Sequence, residues 1–572
     1  MKCRWSFCPP QPLLAAKIAA THHISPLLAQ CLLNRGLSEP AAVENFLAPR
    51  LKQLADPFLL PNMAAAVDRL YAARERSEAV VIFGDYDVDG VSSTALLVEV
   101  LRALGWRVEC YLPHRMDEGY GLSPDGVENC LHKYPATLLL AVDCGSTAVA
   151  SIAWLRERGV DAIVLDHHQV SSPPPAAVAL VNPQLAGEQE VSFRDLCSAG
   201  LAFKLAHALV KRGRETGLPG MAEFDLRPLL DLVALGTIAD VVPLTGENRI
   251  FVTAGLERLN ITQRPGLIAL KQIAQSPEKL GTMDVGYQLA PRLNAAGRLE
   301  NALESLQLVL ARNLAEALPL ARNLDYHNQE RQKIERGITT SVIGAVKARF
   351  NPQTDYVIVE GQLLWHIGVV GIVASRVLHQ FYRPTFILGG EGEQWRGSGR
   401  SIPGFDLAAA LRECDDLLVR HGGHAMAAGV TIAPDNLDAF RRRLNEIARR
   451  SLKPEDLQPL LNLDAEVTLR ELTLDLLAEL DRIRPTGQGN PPLQFWTRRL
   501  ANTRPPQRMG AEKQHAKLWV TDGKTTLEAV WWGVGSATLP DGIFDLAFAP
   551  QINDFSGRST VQLKVLDWRP TA

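Results

Sequence analysis

Ala79-Val-Val-Ile-Phe-Gly84-Asp85-Tyr-Asp87-Val-Asp89-Gly90 joins a short apolar run to a turn that carries three carboxylates. The run is rich in β-branched residues, with charge before it and a turn after it, which is the pattern of a buried strand. Residues 92–104 then read as a helix, with Leu96, Leu97, Val100, Leu101 and Leu104 on one side and Gly105 as its stop. The unit repeats downstream. Strand-like runs occupy 107–112, 137–142, 161–165 and 177–181, and helical stretches lie between them, including 148–158, ended by Gly159. Strands alternating with helices predict an α/β domain built on a parallel sheet with helices on both faces.

The chemistry collects at the ends of these runs. Asp85, Asp87 and Asp89 repel one another, so a compact fold needs cations to keep all three ionised. Oxygen ligands of this kind suit Mg²⁺ or Mn²⁺. A calcium loop is excluded, because the twelve-residue spacing and its terminal Glu are missing. The bland reading is an acidic turn that caps the helix beginning near Ser92. Against it, the run 137–142 leads into Asp143, and 161–165 leads into Asp166-His167-His168. In a parallel sheet all carboxyl ends share one edge, where ligands bind in a crevice. Asp240 in Leu235-Gly-Thr-Ile-Ala-Asp240 follows a helical stretch in an apolar setting; taken alone it fits a simple turn equally well.

The rest of the chain sets the frame. At 572 residues, with 46% hydrophobic and 22% charged, it folds into several domains and is not a disordered protein. A net charge of −3 gives no general affinity for nucleic acid, so positive charge must be local. Arg441, Arg442, Arg443, Arg449 and Arg450 form such a patch, which reads first as a solvated helix face. Eight scattered cysteines without a CxxC pair argue against a disulfide framework or structural zinc and fit a reducing, cytoplasmic setting. No apolar run reaches the ~20 residues that span a bilayer. Residues 1–50 look helical. Residues 303–350 read as a helical connector, 356–450 as a second α/β unit, and the β-like runs 517–520, 526–532, 544–548 and 560–565 as a small barrel. In the second unit, Gly397, Ser398, Gly399, Arg400 and Ser401 suggest a flexible, donor-rich turn, and Gly422-Gly423-His424 a backbone nest for phosphate. Arg376 and Arg400 are able to grip phosphate bidentately, although each alone also reads as a surface ion pair.

Gly84-Asp-Tyr-Asp-Val-Asp-Gly90, Val142-Asp-Cys-Gly145, Asp166-His-His168 and Ile238-Ala-Asp240 resemble, in this order, the successive motifs of the DHH phosphoesterase superfamily. Downstream, Trp365-His-Ile-Gly-Val-Val-Gly-Ile-Val-Ala-Ser-Arg376, Arg396-Gly-Ser-Gly-Arg-Ser401 and Gly422-Gly-His-Ala-Met-Ala-Ala-Gly429 resemble the associated second domain, DHHA1. Order and spacing are similar to the RecJ branch over nearly the whole chain. The resemblance implies an N-terminal helical segment (1–50), a parallel-sheet DHH domain (51–300), a long helical connector (301–350), a smaller α/β DHHA1 domain (351–453) and an OB-type barrel (454–572). It also implies site roles. Asp85, Asp87, Asp89, Asp143, His167 and Asp240 would hold two divalent ions, Mn²⁺ or Mg²⁺, with Asp143 bridging. His168 would face the phosphate, and Asp87, Asp143, His167 and His168 would carry catalysis. Asp166 would orient an imidazole. Arg115, Ser398 and Arg400 would hold a 5′ phosphate, His424 the strand, and Arg292 and Arg298 the DNA track. In the barrel, Lys517, Trp519, Trp531 and Trp532 are available to a single strand, with some of the tryptophans expected in the core.

The implied activity is exonucleolytic hydrolysis of single-stranded DNA, 5′→3′ to mononucleotides, in recombination and repair. The implied partners are a single-stranded-DNA-binding protein and a repair helicase, and the implied state is a monomer. Three other readings compete. A phosphodiesterase of the same superfamily acting on short or cyclic oligonucleotides, or a pyrophosphatase of that superfamily, would not need residues 455–572, and a scaffold that had lost catalysis would show broken acidic motifs.

Overall fold

The computed structural model describes residues 2–571 apart from 115, 116, 120, 188–190, 300, 391 and 556. Arg115 therefore lies outside the described residues. The chain forms two compact units: Ala48–Arg331 with Pro485–Pro491, and Met1–Leu47 with Gln332–Arg484 and Pro492–Ala572. No helix of the described residues is long and apolar enough to cross a membrane.

In the first unit, strands β1 (Ala79–Gly84), β2 (Arg107–Tyr111), β3 (Leu138–Val142), β4 (Asp161–Leu165) and β5 (Ala179–Val181) form one parallel sheet in the order β2-β1-β3-β4-β5. The period of two explains why these runs are apolar throughout. Val80, Ile82, Leu138, Leu140 and Ile163 face one core, while Val81, Phe83, Leu139, Ala141 and Val164 face the other. Because β1 lies between β2 and β3, the strand order reverses there and a crevice opens at the carboxyl ends of β1 and β3. Helix α1 (Val88–Ala103) starts earlier than the apolar spacing suggests, with Asp87 as its N-cap. The acidic turn thus does cap the helix, as the bland reading holds, and the same turn opens into the crevice. Helices α2 (Ser198–Glu215) and α3 (Leu230–Ala239) share the larger core with α1.

The expected connector is not one element. Leu303–Val309 is a separate helix whose Leu306, Leu308 and Val309 belong to the first unit's core. Helix α4 (Leu314–Arg349) follows, 36 residues long, or about 54 Å at the α-helical rise.

In the second unit, β6 (Ile358–Gly361), β7 (Thr385–Gly389), β8 (Trp395–Arg400), β9 (Leu418–Gly423) and β10 (Ala427–Ile432) form a mixed sheet in the order β9-β10-β8-β7-β6, with α5 (Val370–Phe381) and α6 (Leu437–Ser451). Two sequence expectations are corrected here. Gly397-Ser-Gly-Arg400 is no flexible turn but the last four residues of β8, paired on both sides. The glycines are there for space. A side-chain carbon on Gly399 would lie 2.4 Å from the Phe386 ring, and one on Gly397 2.6 Å from Leu388 Cγ. Gly422 and Gly423 likewise end β9, opposite Gly429 and Ala428, instead of forming a nest. On α6 the basic patch is a solvated face. Arg441 pairs with Asp438, Arg443 with Asp416 and Arg450 with Glu413, while Phe440, Leu444 and Ile447 are buried beneath.

Six further strands are β11 (Phe495–Asn502), β12 (Gln507–Met509), β13 (His515–Thr521), β14 (Thr526–Trp531), β15 (Phe544–Phe555) and β16 (Arg558–Pro570). They run β11-β15-β16-β14-β13-β12, and β11 also pairs with β13, which closes a five-stranded barrel of OB type. Its core holds Phe495, Leu518, Phe544, Phe548 and Leu563. The amino-terminal helices join that core through Ile18, Leu28, Leu32 and Val43, and the strand Arg4–Phe7 pairs with Leu460–Leu463. Trp531 packs toward the core, whereas Trp532 is 52% exposed and Trp519 carries the Arg504 guanidinium 3.3 Å from its ring centre.

Candidate metal centre

Each piece of the site is fixed by backbone before any side chain meets another. After β1, the Asp85 N–H extends the sheet to the Val142 carbonyl at 3.2 Å. The loop then doubles back so tightly that a side-chain carbon on Gly90 would sit 2.4 Å from the Asp85 carbonyl oxygen, which requires glycine. Asp87 Oδ1 accepts the N–H groups of Asp89 and Gly90 at 2.9 and 3.0 Å, and the Val88 N–H donates to Asn294 Oδ1 at 3.1 Å. The buried Asp89 carboxylate accepts the first two N–H groups of α2, from Ser198 at 2.7 Å and Ala199 at 2.8 Å. After β3, Asp143 stands at φ 64, a conformation a non-glycine residue holds only when its surroundings insist. Its N–H reaches the Leu165 carbonyl at 3.0 Å, and its Oδ1 accepts the Ser198 hydroxyl at 2.8 Å.

After β4, Asp166 is spent on orientation. Its Oδ1 takes the His167 N–H at 2.8 Å and His168 Nδ1 at 2.7 Å, and its Oδ2 takes the Ser146 N–H at 2.9 Å. Asn182 supports this corner by donating to Ser146 Oγ and the His168 carbonyl, both at 2.8 Å. Asp240 is the C-cap of α3, at the negative end of a helix dipole that does nothing to stabilise a second negative charge.

The four ends converge. His167 Nε2 lies 3.5 Å from Asp143 Oδ1, 3.5 Å from Asp240 Oδ2 and 3.9 Å from Asp89 Oδ2. Asp85, Asp87 and Asp143 each offer an oxygen within 4.8 Å of the others, and so do the ligand atoms of Asp89, His167 and Asp240, and of Asp143, His167 and His168. Asp143 and His167 each belong to two of these groups. His167 Nε2 and Asp240 Oδ2 are buried without a hydrogen-bond partner, an arrangement that costs free energy unless something else satisfies them.

The charges point the same way. Burial, then Asp89 and Asp87, push the Asp240 carboxyl up to about 9; burial and Asp87 bring Asp89 to about 6. Burial and the other four carboxylates push Asp143 well above the usual range. Burial and the neighbouring His168 push His167 down to about 4, which keeps the lone pair on the ring. For His168 burial opposes the charge, but the Asp166 bond outweighs it and holds the imidazole up at about 9. An oxygen-rich set with one neutral imidazole and no lysine or arginine on Asp87, Asp143 or Asp240 among the described residues fits hard or borderline divalent cations.

The other expected residues fall in two places. In the first unit, Arg292 is held by Asp325 Oδ1 and the Gln288 carbonyl at 2.8 and 2.7 Å. Arg298 lies on the same helix (Ala290–Leu299), whose Asn294 braces the acidic loop. In the second unit, Arg376 pairs with the buried Glu335, and His424 sits exposed in the β9–β10 turn. Ser398 and Arg400, two residues apart on β8, come together over Gly371 at the start of α5. A side-chain carbon on that glycine would lie 3.3 Å from Ser398 Oγ and 3.2 Å from Arg400 Nη2. Burial lowers the pKa of Arg400, and no carboxylate pairs with it among the described residues. Ser198, Asn294, Ser146 and Asn182 had no sequence signal, since ordinary residue types take on these roles only through contacts distant in sequence.

Residues 79–237 match the DHH family, N-terminal domain; 354–450 match the DHHA1 domain; 463–567 match the RecJ OB domain. The chain is 36% identical over 574 residues to the single-stranded-DNA-specific exonuclease RecJ of Bacillus subtilis, covering 99% of this chain and 71% of that one. It is 36% identical over 569 residues to RecJ of Dickeya dadantii, covering 94% and 95%. The chain belongs to the RecJ family. The crystal structure of Thermus thermophilus RecJ in complex with Mn²⁺ superposes with a TM-score of 0.85 at 30% identity, over 100% of this chain and 80% of that one. A Mg²⁺ complex of RecJ from the same organism matches with a TM-score of 0.79 at 28% identity, over 100% of this chain and 79% of that one. RecJ-family architecture accounts for the order found here, from parallel-sheet DHH domain through α4 to the smaller α/β sheet and the OB barrel.

Proposed function

We propose that the chain is a metal-dependent exonuclease specific for single-stranded DNA, working 5′→3′ and releasing mononucleotides. The observation that carries this reading is the pair of ligand sets, Asp85-Asp87-Asp143 and Asp89-His167-Asp240, joined through Asp143 and His167 on one sheet edge. Asp85, Asp87 and Asp143 would hold one divalent ion, Mn²⁺ or Mg²⁺, and Asp143, His167 and Asp240 the other, with Asp89 closing that side. Two such ions would supply water activation and charge neutralisation at the attacked phosphate. The chain's own part is positioning and proton supply. Asp166 holds His168 in its charged form, so His168 is suited to donate a hydrogen bond or proton to the phosphate or the departing oxygen. Ser398 and Arg400 would grip the terminal 5′ phosphate, since a half-buried guanidinium without a carboxylate partner among the described residues is suited to a bound anion. Arg292, Arg298, Arg376 and His424 would follow the strand, and Trp519, Trp532 and Lys517 would stack and neutralise it on the barrel. Such a barrel has no use in an enzyme confined to dinucleotides. In the cell this activity would serve DNA recombination and repair in the cytoplasm, the protein acting as a monomer beside a single-stranded-DNA-binding protein and a helicase.

The test uses Mn²⁺ with a long strand labelled at the 5′ end, the same strand labelled at the 3′ end, and a blunt duplex. Labelled mononucleotide should appear at once from the 5′ label only, with the duplex intact. Arg400→Ala should reduce turnover of 5′-phosphorylated ends roughly 10- to 100-fold, the worth of lost charge-assisted hydrogen bonds, and affect 5′-hydroxyl ends far less. Release from the 3′ label, or turnover of dinucleotides alone, would overturn the reading.

A further inference from the structure

Cys197-Ser198-Ala199-Gly200 opens α2, an 18-residue helix whose Leu201, Ala202, Phe203, Leu205 and Ala206 are buried in the main core. The first N–H groups of a helix have no partner within it. Here two of them, from Ser198 and Ala199, close on the two oxygens of Asp89. Ser198 is itself fully buried, and its hydroxyl donates to Asp143 Oδ1 at 2.8 Å, while the same Oδ1 lies 3.5 Å from His167 Nε2. One residue thus ties together Asp89 of one ligand set and Asp143 of the other, and it does so from the end of a buried helix. Asp143 also comes from a backbone in the left-handed region, and the Ser198 hydroxyl is the hydrogen-bond donor to its carboxylate among the described residues.

We propose that Ser198 is a positioning residue for Asp143, fixing the plane of that carboxylate and so raising the affinity of the centre for divalent metal. The proposal rests on the metal reading given above. The role is distinct from packing, because the hydroxyl is the one group of the side chain that reaches a ligand. Partners of this kind behind a metal ligand commonly govern affinity by 10- to 100-fold.

The measurement is Mn²⁺ binding to the full chain, read from the paramagnetic resonance signal of free Mn²⁺. Ser198→Ala should weaken binding roughly tenfold or more, with the melting temperature of the metal-free protein and its single-strand affinity in chelator unchanged. Ser198→Gly, which keeps the N–H on Asp89 and removes the hydroxyl, should lose the same affinity. Binding by Ser198→Ala within about twofold of wild type overturns the positioning role and leaves the metal centre standing. A fall in the metal-free melting temperature that matches the loss of affinity assigns Ser198 to folding and also overturns it. Wild-type protein that binds no Mn²⁺ overturns both readings together.

Discussion

At the amino-terminal edge of the parallel sheet, Glu78 and Asp161 face Arg69; at the carboxyl edge, Asp85, Asp87, Asp143 and Asp240 crowd one another. Arg69 donates to Asp161 Oδ2 at 2.6 Å and to Glu78 Oε2 at 2.7 Å, and Thr137 adds a bond to Glu78 at 3.1 Å. Burial opposes the Glu78 charge, but Arg69 overrides it and holds the carboxyl below its ordinary value. Across the sheet, burial and mutual repulsion drive Asp143 and Asp240 the other way. Both edges concentrate acid, yet among the described residues an arginine pairs with the carboxylates of the first, and no lysine or arginine pairs with Asp87, Asp143 or Asp240 at the second. Carboxylates gathered and buried without a lysine or arginine beside them mark a candidate site for a cation from outside the chain.

Three measurements would sharpen or break this contrast. Asp143→Asn should lower hydrolysis of a labelled single strand by roughly three orders of magnitude, the scale expected when charge stabilisation at the reacting group is lost, whereas Arg69→Ala should leave the rate nearly untouched. Comparable losses would mean that the two edges serve the same purpose. Mn²⁺ at about 100 times its dissociation constant should stabilise the folded chain by about 2.7 kcal/mol per site, seen as a rise in melting temperature. Arg69→Ala should keep that rise and Asp143→Asn should lose most of it. The smallest effect is on acid stability. Because the folded pKa of Glu78 is lowered, its contribution is present above its ordinary value of 4.5 and disappears as pH falls through the lowered one. Glu78→Gln should cost about 1 kcal/mol at neutral pH, and urea melts should show the gap closing as pH falls below 4.5. A gap that persists in acid would remove the ion pair from the explanation.

The carboxyl edge was largely legible in the sequence, because strands buried on both faces leave continuous apolar runs and Asp85, Asp143 and Asp166 each stand right after one. Resemblance then added the order of motifs. What stayed hidden depends on contacts that no local pattern records. Gly397-Ser-Gly-Arg400 has the composition of a turn, and only the Phe386 and Leu388 side chains pressing on it make it a strand. Arg4–Phe7 lies some 450 residues from its partner Leu460–Leu463 and is too short to announce itself. The long polar-apolar stretch after Leu303 hid a break at 310–313, since both sides of it keep helical spacing. Ser198 and Asn294 are ordinary residues, and their importance comes entirely from where α2 and the helix Ala290–Leu299 set them down.

The backbone of Asp143, at φ 64, has a practical side. Asparagine and aspartate are the side chains that tolerate the left-handed region best, and alanine pays for it in strain. A dead form of the protein made with asparagine at this position therefore keeps the loop that its charge-bearing parent uses. Such a chain is the natural bait: a hook with its barb filed off, able to hold a strand in place long enough for the strand's path to be seen.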